Sequence, residues 1–219
     1  MQEWDNYWAK NRQPQNRFYN RIAVFYRKYI IKPYLNYYLT SYFPEKSIIL
    51  HAGCGSGQVE EGITGSVSTI GLDISMNALD LYKEFHIESE LILGDISSLG
   101  IKNEKLDGIY NLGVMEHFDD KSLDQILLEF HRVLKKKGIV ILFWPPEYGL
   151  TVIILRGVHF FLNRVLRKNI HLHPPEPNLI KSKKFVKKLV ENAGFTIREI
   201  NFSIGDLFTQ MVVVLEKKE

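Results

Sequence analysis

The run Ile48-Ile49-Leu50-His51-Ala52-Gly53-Cys54-Gly55-Ser56-Gly57 limits the fold of this chain more than any other stretch. Its apolar start reads as a buried strand, which empties into glycines at every second position, Gly53, Gly55 and Gly57. Glycine there lets the backbone turn sharply and approach a ligand where any Cβ would collide. A second apolar run ends in an acid, Ile70-Gly71-Leu72-Asp73, and a third ends Leu93-Gly94-Asp95. A glycine turn and two acids, each at the carboxyl end of a predicted strand, describe a crevice that takes a nucleoside. The spacing also excludes a class. A dinucleotide-binding turn runs Gly-x-Gly-x-x-Gly, and the place of its third glycine is held here by Gln58.

Hydrophobic periodicity gives an alternating α/β chain. Residues 17–32 read as an amphipathic helix, with Phe18, Ile22, Phe25 and Tyr29 on one face and Arg17, Arg21 and Lys28 on another. Pro33 then breaks it or starts a second helix to about Phe43. Strands are predicted at 47–51, 68–73, 90–94, 106–111, 139–144, 196–202 and 210–216, with a short helix from Gln58. Ser75 caps a helix running to Phe85. The helix at 121–137 carries the clearest stripe: Leu123, Ile126, Leu127, Phe130, Val133 and Leu134. Lys135–Lys137 favour its negative end, and Gly138 suits the residue that stops it. Ser182 caps a last helix ending before Gly194, with Val186, Leu189, Val190 and Ala193 inward.

The Gly-x-Gly-x-Gly turn, followed in order by Asp73 and Asp95, resembles the class I S-adenosylmethionine-dependent methyltransferases. The resemblance covers about residues 44–146, and more loosely 180–219; its closest flavour is the small-molecule group that includes quinone-biosynthesis enzymes. It implies a Rossmann-like, seven-stranded, mostly parallel sheet with helices on both faces, in a single domain. That domain divides into an N-terminal helical arm (1–43), a cofactor-binding core (44–150), a cover insertion after strand five (151–181), and a C-terminal helix and strands (182–219). The implied cofactor is S-adenosyl-L-methionine. Its binding set would be His51, Gly53, Cys54, Gly55 and Gly57 at the turn, with Asp73 and Ile74 at the ribose. Asp95 and Ile96 would read the adenine edge, and the backbone of Asn111 and Leu112 would hold the methionine head. Val114 and Met115 suit either packing on the cofactor or the core. One position departs from the family pattern, which usually has an acid where this chain has His51. Histidine is a poorer acceptor and titrates near neutrality, so weaker or pH-dependent binding is expected unless another group compensates.

Methyl transfer is an in-line displacement at an activated sulfonium, so holding the nucleophile in place supplies much of the rate. A general base is needed only for a protonated, weakly acidic acceptor. Glu116-His117 is the candidate pair, expected just beyond strand four and facing the crevice mouth; the alternative is that it orders the loop. Tyr148, after Trp144-Pro145-Pro146, is expected to line the acceptor site.

Charge is segregated along the chain. Residues 1–43 carry seven Lys/Arg against two acids, and residues 151–188 carry nine against one. Between them, residues 44–150 carry nine against seventeen. A basic arm and cover over an acidic core favour an anionic acceptor or an anionic membrane surface. The alternative is that the lysines, above all Lys183-Lys184 and Lys187-Lys188, keep the protein soluble. Val152–Leu155, Val158, Phe160, Phe161 and Leu162, flanked by Arg156, Arg164 and Arg167, suit an interfacial helix or a lipid-like acceptor. Thirteen aromatic residues lie within 1–43, and their other reading is packing against the sheet.

The apolar stretch 139–166 is interrupted by Pro145-Pro146-Glu147-Tyr148-Gly149, which leaves segments too short to span a bilayer. Met-Gln-Glu-Trp-Asp is not a secretory start. A cytoplasmic protein is expected, with peripheral membrane contact as a further expectation. The single cysteine, Cys54, rules out an internal disulfide and suits a small neighbour of the ligand better than a nucleophile. His171 and His173, with Glu176 as the one nearby acid, read as loop histidines, and no metal is expected. Asn-Leu-Gly-Val at 111–114 lacks the Asn/Asp-Pro-Pro-Tyr/Phe signature of amino-methylating nucleic-acid enzymes, and Pro145-Pro146 follows the wrong strand for it. Nucleic acid is therefore an unfavoured partner. Three readings stay open: an enzyme acting on a small or lipid-like acceptor, a non-catalytic adenosylmethionine-binding protein and, least favoured, a nucleic-acid methyltransferase suggested by the basic segments.

Overall fold

Seven strands join in one sheet of order β3-β2-β1-β4-β5-β7-β6. They are β1 (Ile48–Ala52), β2 (Ser68–Asp73), β3 (Glu90–Leu93), β4 (Leu106–Leu112), β5 (Leu134–Trp144), β6 (Phe195–Asn201) and β7 (Met211–Lys217). The first five pair in parallel, and β7 runs antiparallel between β5 and β6. The computed structural model describes residues 2–11, 24–60, 67–87, 89–165 and 176–218. Helices in chain order are α1 (Gln2–Asn11), α2 (Lys32–Tyr42), α3 (Met76–Phe85), α4 (Asp120–Val133), α5 (Leu150–Phe160) and α6 (Lys183–Asn192).

Side-chain alternation along the strands builds two cores. Leu50, Val140, Leu142, Val213 and Leu215 face α4 and α6, while Ile49, Ile141, Phe143, Val212 and Val214 face α2. Tyr38 and Tyr42 of α2 donate to the two carboxylate oxygens of Glu199 at 2.9 and 2.6 Å, which staples that helix to β6. Because β1 has β2 on one side and β4 on the other, the sheet order reverses beside it, and a crevice opens at the carboxyl ends of these strands.

The predicted strands appear within two residues of their places except β5, which begins five residues early. The helix expected over 121–137 stops at Val133, and Lys135–Lys137 belong to β5. Partners from outside the helix cause this. Its last carbonyls, Arg132 and Val133, accept backbone N–H groups of Glu104 and Lys105 at 3.1 and 2.8 Å, so lysines and Gly138 do not cap it. Lys135 instead reaches Asp107 at 2.7 Å, and the β4–β5 ladder shifts between Leu106 and Gly108. Pro33 does not break its helix. It sits in the first turn of α2, which continues a π-helical turn at Arg27–Ile31. Phe25 and Tyr29, expected on the apolar face of an amphipathic helix, are 61% and 57% exposed. Phe18 and Ile22 of that stripe, with Arg17 and Arg21, lie outside the described residues, as do Arg167, His171 and His173. Gln58–Glu60 form turns, and the rest of the short helix expected there is not described.

Gly108 of β4 faces the ring of Phe43, the residue that ends α2, and an added Cβ would stand 2.0 Å from its Cε1. Phe43 is buried and cannot swing away. Gly108→Ala is expected to cost about 1–3 kcal/mol by overpacking, read as a lower urea midpoint with an unchanged slope.

Candidate active site

The site grows from the turn after β1. Gly53 and Cys54 both donate backbone N–H to the carbonyl of Leu72, at 2.8 and 2.9 Å, which bends the chain over the end of β2. Gly55 follows at φ +53°, a left-handed conformation that disfavours a side chain, and a Cβ there would meet the Trp8 ring at 2.7 Å. Asp73 completes the turn from below: its Oδ2 accepts from Gly55 N–H and its Oδ1 from Ser75 N–H, each at 2.9 Å. Burial raises the Asp73 carboxyl above the usual range, opposed by those two amides. Ser75 caps α3 as expected, accepting from Ala78 N–H at 3.2 Å.

A cavity of about 400 Å³ opens above this turn, a size suited to a small molecule. Of the residues expected to bind cofactor, His51, Gly53, Cys54, Gly55, Gly57, Asp73, Ile74, Asp95, Ile96 and Leu112 line it. Asp95 is tied locally, its Oδ1 accepting the N–H and hydroxyl of Ser97 at 2.8 Å each. Cys54 is buried, and that burial, together with the charges of Asp73 and Glu60, pushes its thiol well up, so it stays protonated and unreactive.

Three expected residues are not at the wall. Asn111 is fully buried beneath it, and neither its Oδ1 nor its Nδ2 has a hydrogen-bond partner. Tyr148 is 47% exposed and packs edge-on against Phe202, away from the cavity. Glu116 does not face the crevice mouth but turns into the core, where burial pushes its carboxyl up to about 8, with Glu176 adding to the rise. The short 3₁₀ turn Met115–His117 explains the split: it sends adjacent side chains in different directions, and His117 alone reaches the cavity.

Four contributors to the wall stand out among those not read from the sequence. Trp4 and Trp8 reach it from α1, and Trp4 meets the His117 ring edge-on at 4.9 Å. Their spacing of four residues puts them on one helix face, a visible signal that the aromatic richness of the arm obscured. Asp5 of the same helix docks α1 on the start of α3, accepting from the Ser75 hydroxyl at 2.7 Å and Asn77 N–H at 3.2 Å. Arg27 reaches the wall from the π-helical turn and donates to Gln58 Oε1 at 3.3 Å.

The fourth is Glu60, which has no periodicity to announce it. Its carboxylate pairs with His51 Nδ1 and accepts the hydroxyls of Tyr82 and Tyr110 at 2.8 and 2.6 Å. The His51 ring stacks on Tyr110 with centroids 4.4 Å apart. Burial would raise the Glu60 carboxyl, yet the His51 charge and the three hydrogen bonds leave it lowered, so it is ionised. A carboxylate is thus present in the wall although His51 stands in the motif.

The donor set fits S-adenosylmethionine. The lining holds the Asp73 carboxylate and the apolar side chains of Ile74, Val114 and Phe118, the kinds of group a nucleoside needs, while Trp8 fills the space beside Gly55. No group of three or more His, Cys, Asp or Glu among the described residues could hold a metal ion, and no described helix is long and apolar enough to cross a membrane.

Comparisons with known proteins agree with this geometry. Residues 50–142 match the family model described as a methyltransferase domain. A malonyl-[acyl-carrier protein] O-methyltransferase of Hamiltonella defensa is 31% identical over 98 residues, 44% of this chain and 37% of that protein. The chain spans little more than a third of the length of the curated relatives it matches (37% and 35%). A S-adenosylmethionine-dependent methyltransferase of Methanosarcina mazei superposes with a TM-score of 0.61 at 20% identity, covering 82% of this chain and 96% of that one. Magnesium protoporphyrin IX methyltransferase of Synechocystis, solved with S-adenosylhomocysteine, gives a TM-score of 0.62 at 16% identity over 86% and 82%. The chain thus carries a methyltransferase domain over residues 50–142 on a seven-stranded fold shared with S-adenosylmethionine-dependent methyltransferases.

Proposed function

We propose that this chain transfers the methyl group of S-adenosylmethionine to a small or lipid-like, anionic acceptor. The observation that carries the reading is Asp73, a carboxylate in the cavity wall at the end of β2, held directly under the glycine turn. Asp73 would accept the ribose hydroxyls, and Asp95 with Ile96 would meet the adenine edge. Glu60, oriented by His51 and two tyrosines, would face the ammonium of the methionine head, in place of the acid that the motif lacks. That compensation removes the main support for a non-catalytic binder. When bound, S-adenosylmethionine supplies a methyl group already activated by sulfonium. What the protein adds is position and exclusion of water, through the two tryptophans of α1 and the His117 imidazole at the wall. His117 is the group able to take a proton from a hydroxyl acceptor. Glu116 holds its own proton and faces away, so it acts as a packing residue of that turn.

Arg27 supports the anionic acceptor, being the Lys/Arg side chain that lines the cavity among the described residues. The Hamiltonella relative is named for methylating a malonyl group, a carboxylate acceptor that needs no general base. A carboxylate on a hydrophobic or carrier-borne tail would meet Arg27 in the same way.

Isothermal titration tests the cofactor. S-adenosylhomocysteine should bind wild type at micromolar Kd, and Asp73→Asn should weaken it by about 10–100-fold, the worth of charged hydrogen bonds. Glu60→Gln should weaken it by about tenfold, yet leave 5′-methylthioadenosine, which has no amino-acid head, unchanged. Equal affinities in wild type and Asp73→Asn would overturn the assignment.

Glu116 gives a second expectation, in stability. Its carboxyl sits at about 8 in the fold against 4.5 as a free group, so the folded chain binds more protons between those values. Stability contributed below about pH 4.5 is therefore lost as pH rises toward 8. Glu116→Gln should remove that loss, gaining up to about 1.4 kcal/mol over wild type per pH unit. Urea unfolding at about pH 5 and about pH 7.5 reads it.

A further inference from the structure

Apolar exposure on this protein is concentrated. Thirteen of the twenty large apolar side chains exposed among the described residues come from three segments: 24–32, 147–165 and 202–210. The most exposed of these thirteen are Ile204 at 71%, Phe160 at 66% and Phe25 at 61%. The segments lie far apart in sequence but are bonded to one another. The Tyr26 hydroxyl reaches Thr209 Oγ1 and the Asp206 carbonyl, and Leu150 N–H donates to the Phe208 carbonyl at 2.8 Å. The rings of Tyr148, Phe202 and Phe208 follow in contact, at 5.2 and 5.4 Å. The result is one continuous face.

Its centre is a loop held against its own preference. Leu207 and Phe208 are consecutive non-glycine residues at φ +62° and +56°, a conformation that costs roughly 1–2 kcal/mol per residue. The buried Asp206 carboxylate holds the loop, accepting from Thr209 Oγ1 and Gln210 N–H. The effect is to turn two apolar side chains, 41% and 43% exposed, outward. The charge around them is mostly positive. The three segments carry Arg27, Lys28, Lys32, Arg156 and Arg164 against Glu147 at the border and Asp206, which is buried.

We propose that this face docks on an anionic lipid bilayer, with Phe208, Leu207 and the exposed face of α5 entering the headgroup region. Aromatic and aliphatic side chains ringed by Lys and Arg match that boundary, where apolar insertion and attraction to phosphodiester headgroups act together. Five Lys and Arg against one exposed acid give this face a net positive charge, which a surface of phosphodiester headgroups answers. Arg27 belongs to this face and also to the cavity wall, so a lipid-borne acceptor lying in the leaflet would sit beside the site. Only that last point rests on the methyltransferase reading; the docking does not.

The test is flotation of the full chain with vesicles of phosphatidylcholine alone and of phosphatidylcholine mixed with phosphatidylglycerol, at low and high salt. The chain should float with the anionic vesicles at low salt and not with the neutral ones. The double variant Leu207→Asn, Phe208→Asn keeps side chains that tolerate left-handed backbone and should lose about tenfold in partitioning. Arg156→Gln should lose about fivefold, and Ile87→Ser, exposed outside the three segments, should lose nothing. Flotation that ignores the Asn pair and Arg156→Gln would overturn the proposal. So would no flotation at all, or a dimer dispersed by the Asn pair without vesicle binding, which would make the face a contact between copies. S-adenosylhomocysteine titration of the same variants, expected unchanged, separates this outcome from loss of the cofactor site.

Discussion

One carboxylate organises the functional end of this molecule. Asp73 gives one oxygen to the Gly55 amide and the other to the Ser75 amide, so the end of β2, the glycine turn and the start of α3 converge on it. Ser75 then passes the connection to α1 through its hydroxyl bond to Asp5. A buried acid is costly unless its lone pairs are met, and here backbone amides meet them on the floor of the cavity. The same arrangement explains why left-handed glycine is needed just there: only a tight turn brings the amide of residue 55 back to the strand beside it.

Beside it lies a second buried polar group, His51, Glu60, Tyr82 and Tyr110. A histidine on β1 would leave its ring nitrogen unsatisfied, and a glutamate on the following turn would be an isolated buried charge. Together they offset both penalties, and both tyrosine hydroxyls donate to Oε2 of Glu60. Removing His51 would leave the Glu60 carboxylate without its nearest partner. The cluster therefore ties the chemistry of the cavity wall to the packing of α3 and β4, from which its tyrosines come.

Much of this architecture was legible in the residues, for a physical reason. Strand β2 and the cap at Ser75 are set by local patterns, an apolar run ending in an acid and a hydroxyl facing free amides, and both lie where the sequence puts them. The turn itself follows from glycine spacing, whereas the places of Asp95, Ile96 and Leu112 at the wall were implied by the family resemblance. What was not legible depends on partners distant in sequence. The end of α4 is decided by the amides of Glu104 and Lys105, and the role of Glu60 by a histidine nine positions earlier on another element. Glu116 and Tyr148 point away from the cavity because a 3₁₀ turn and a neighbouring phenylalanine orient them, and no periodicity records either influence.

The placement of α1 has a thermodynamic consequence. This helix contributes Trp4 and Trp8 to the cavity and is otherwise fastened to the rest of the chain chiefly at the start of α3. Any occupant that packs against the two indoles shares interaction energy with the docked helix. Linkage is reciprocal: the factor by which docking of α1 tightens the occupant is the factor by which the occupant tightens α1. The N-terminal segment is in this sense a second ligand of the cavity, covalently attached and present at high effective concentration, and the order of that segment reports whether the cavity is filled.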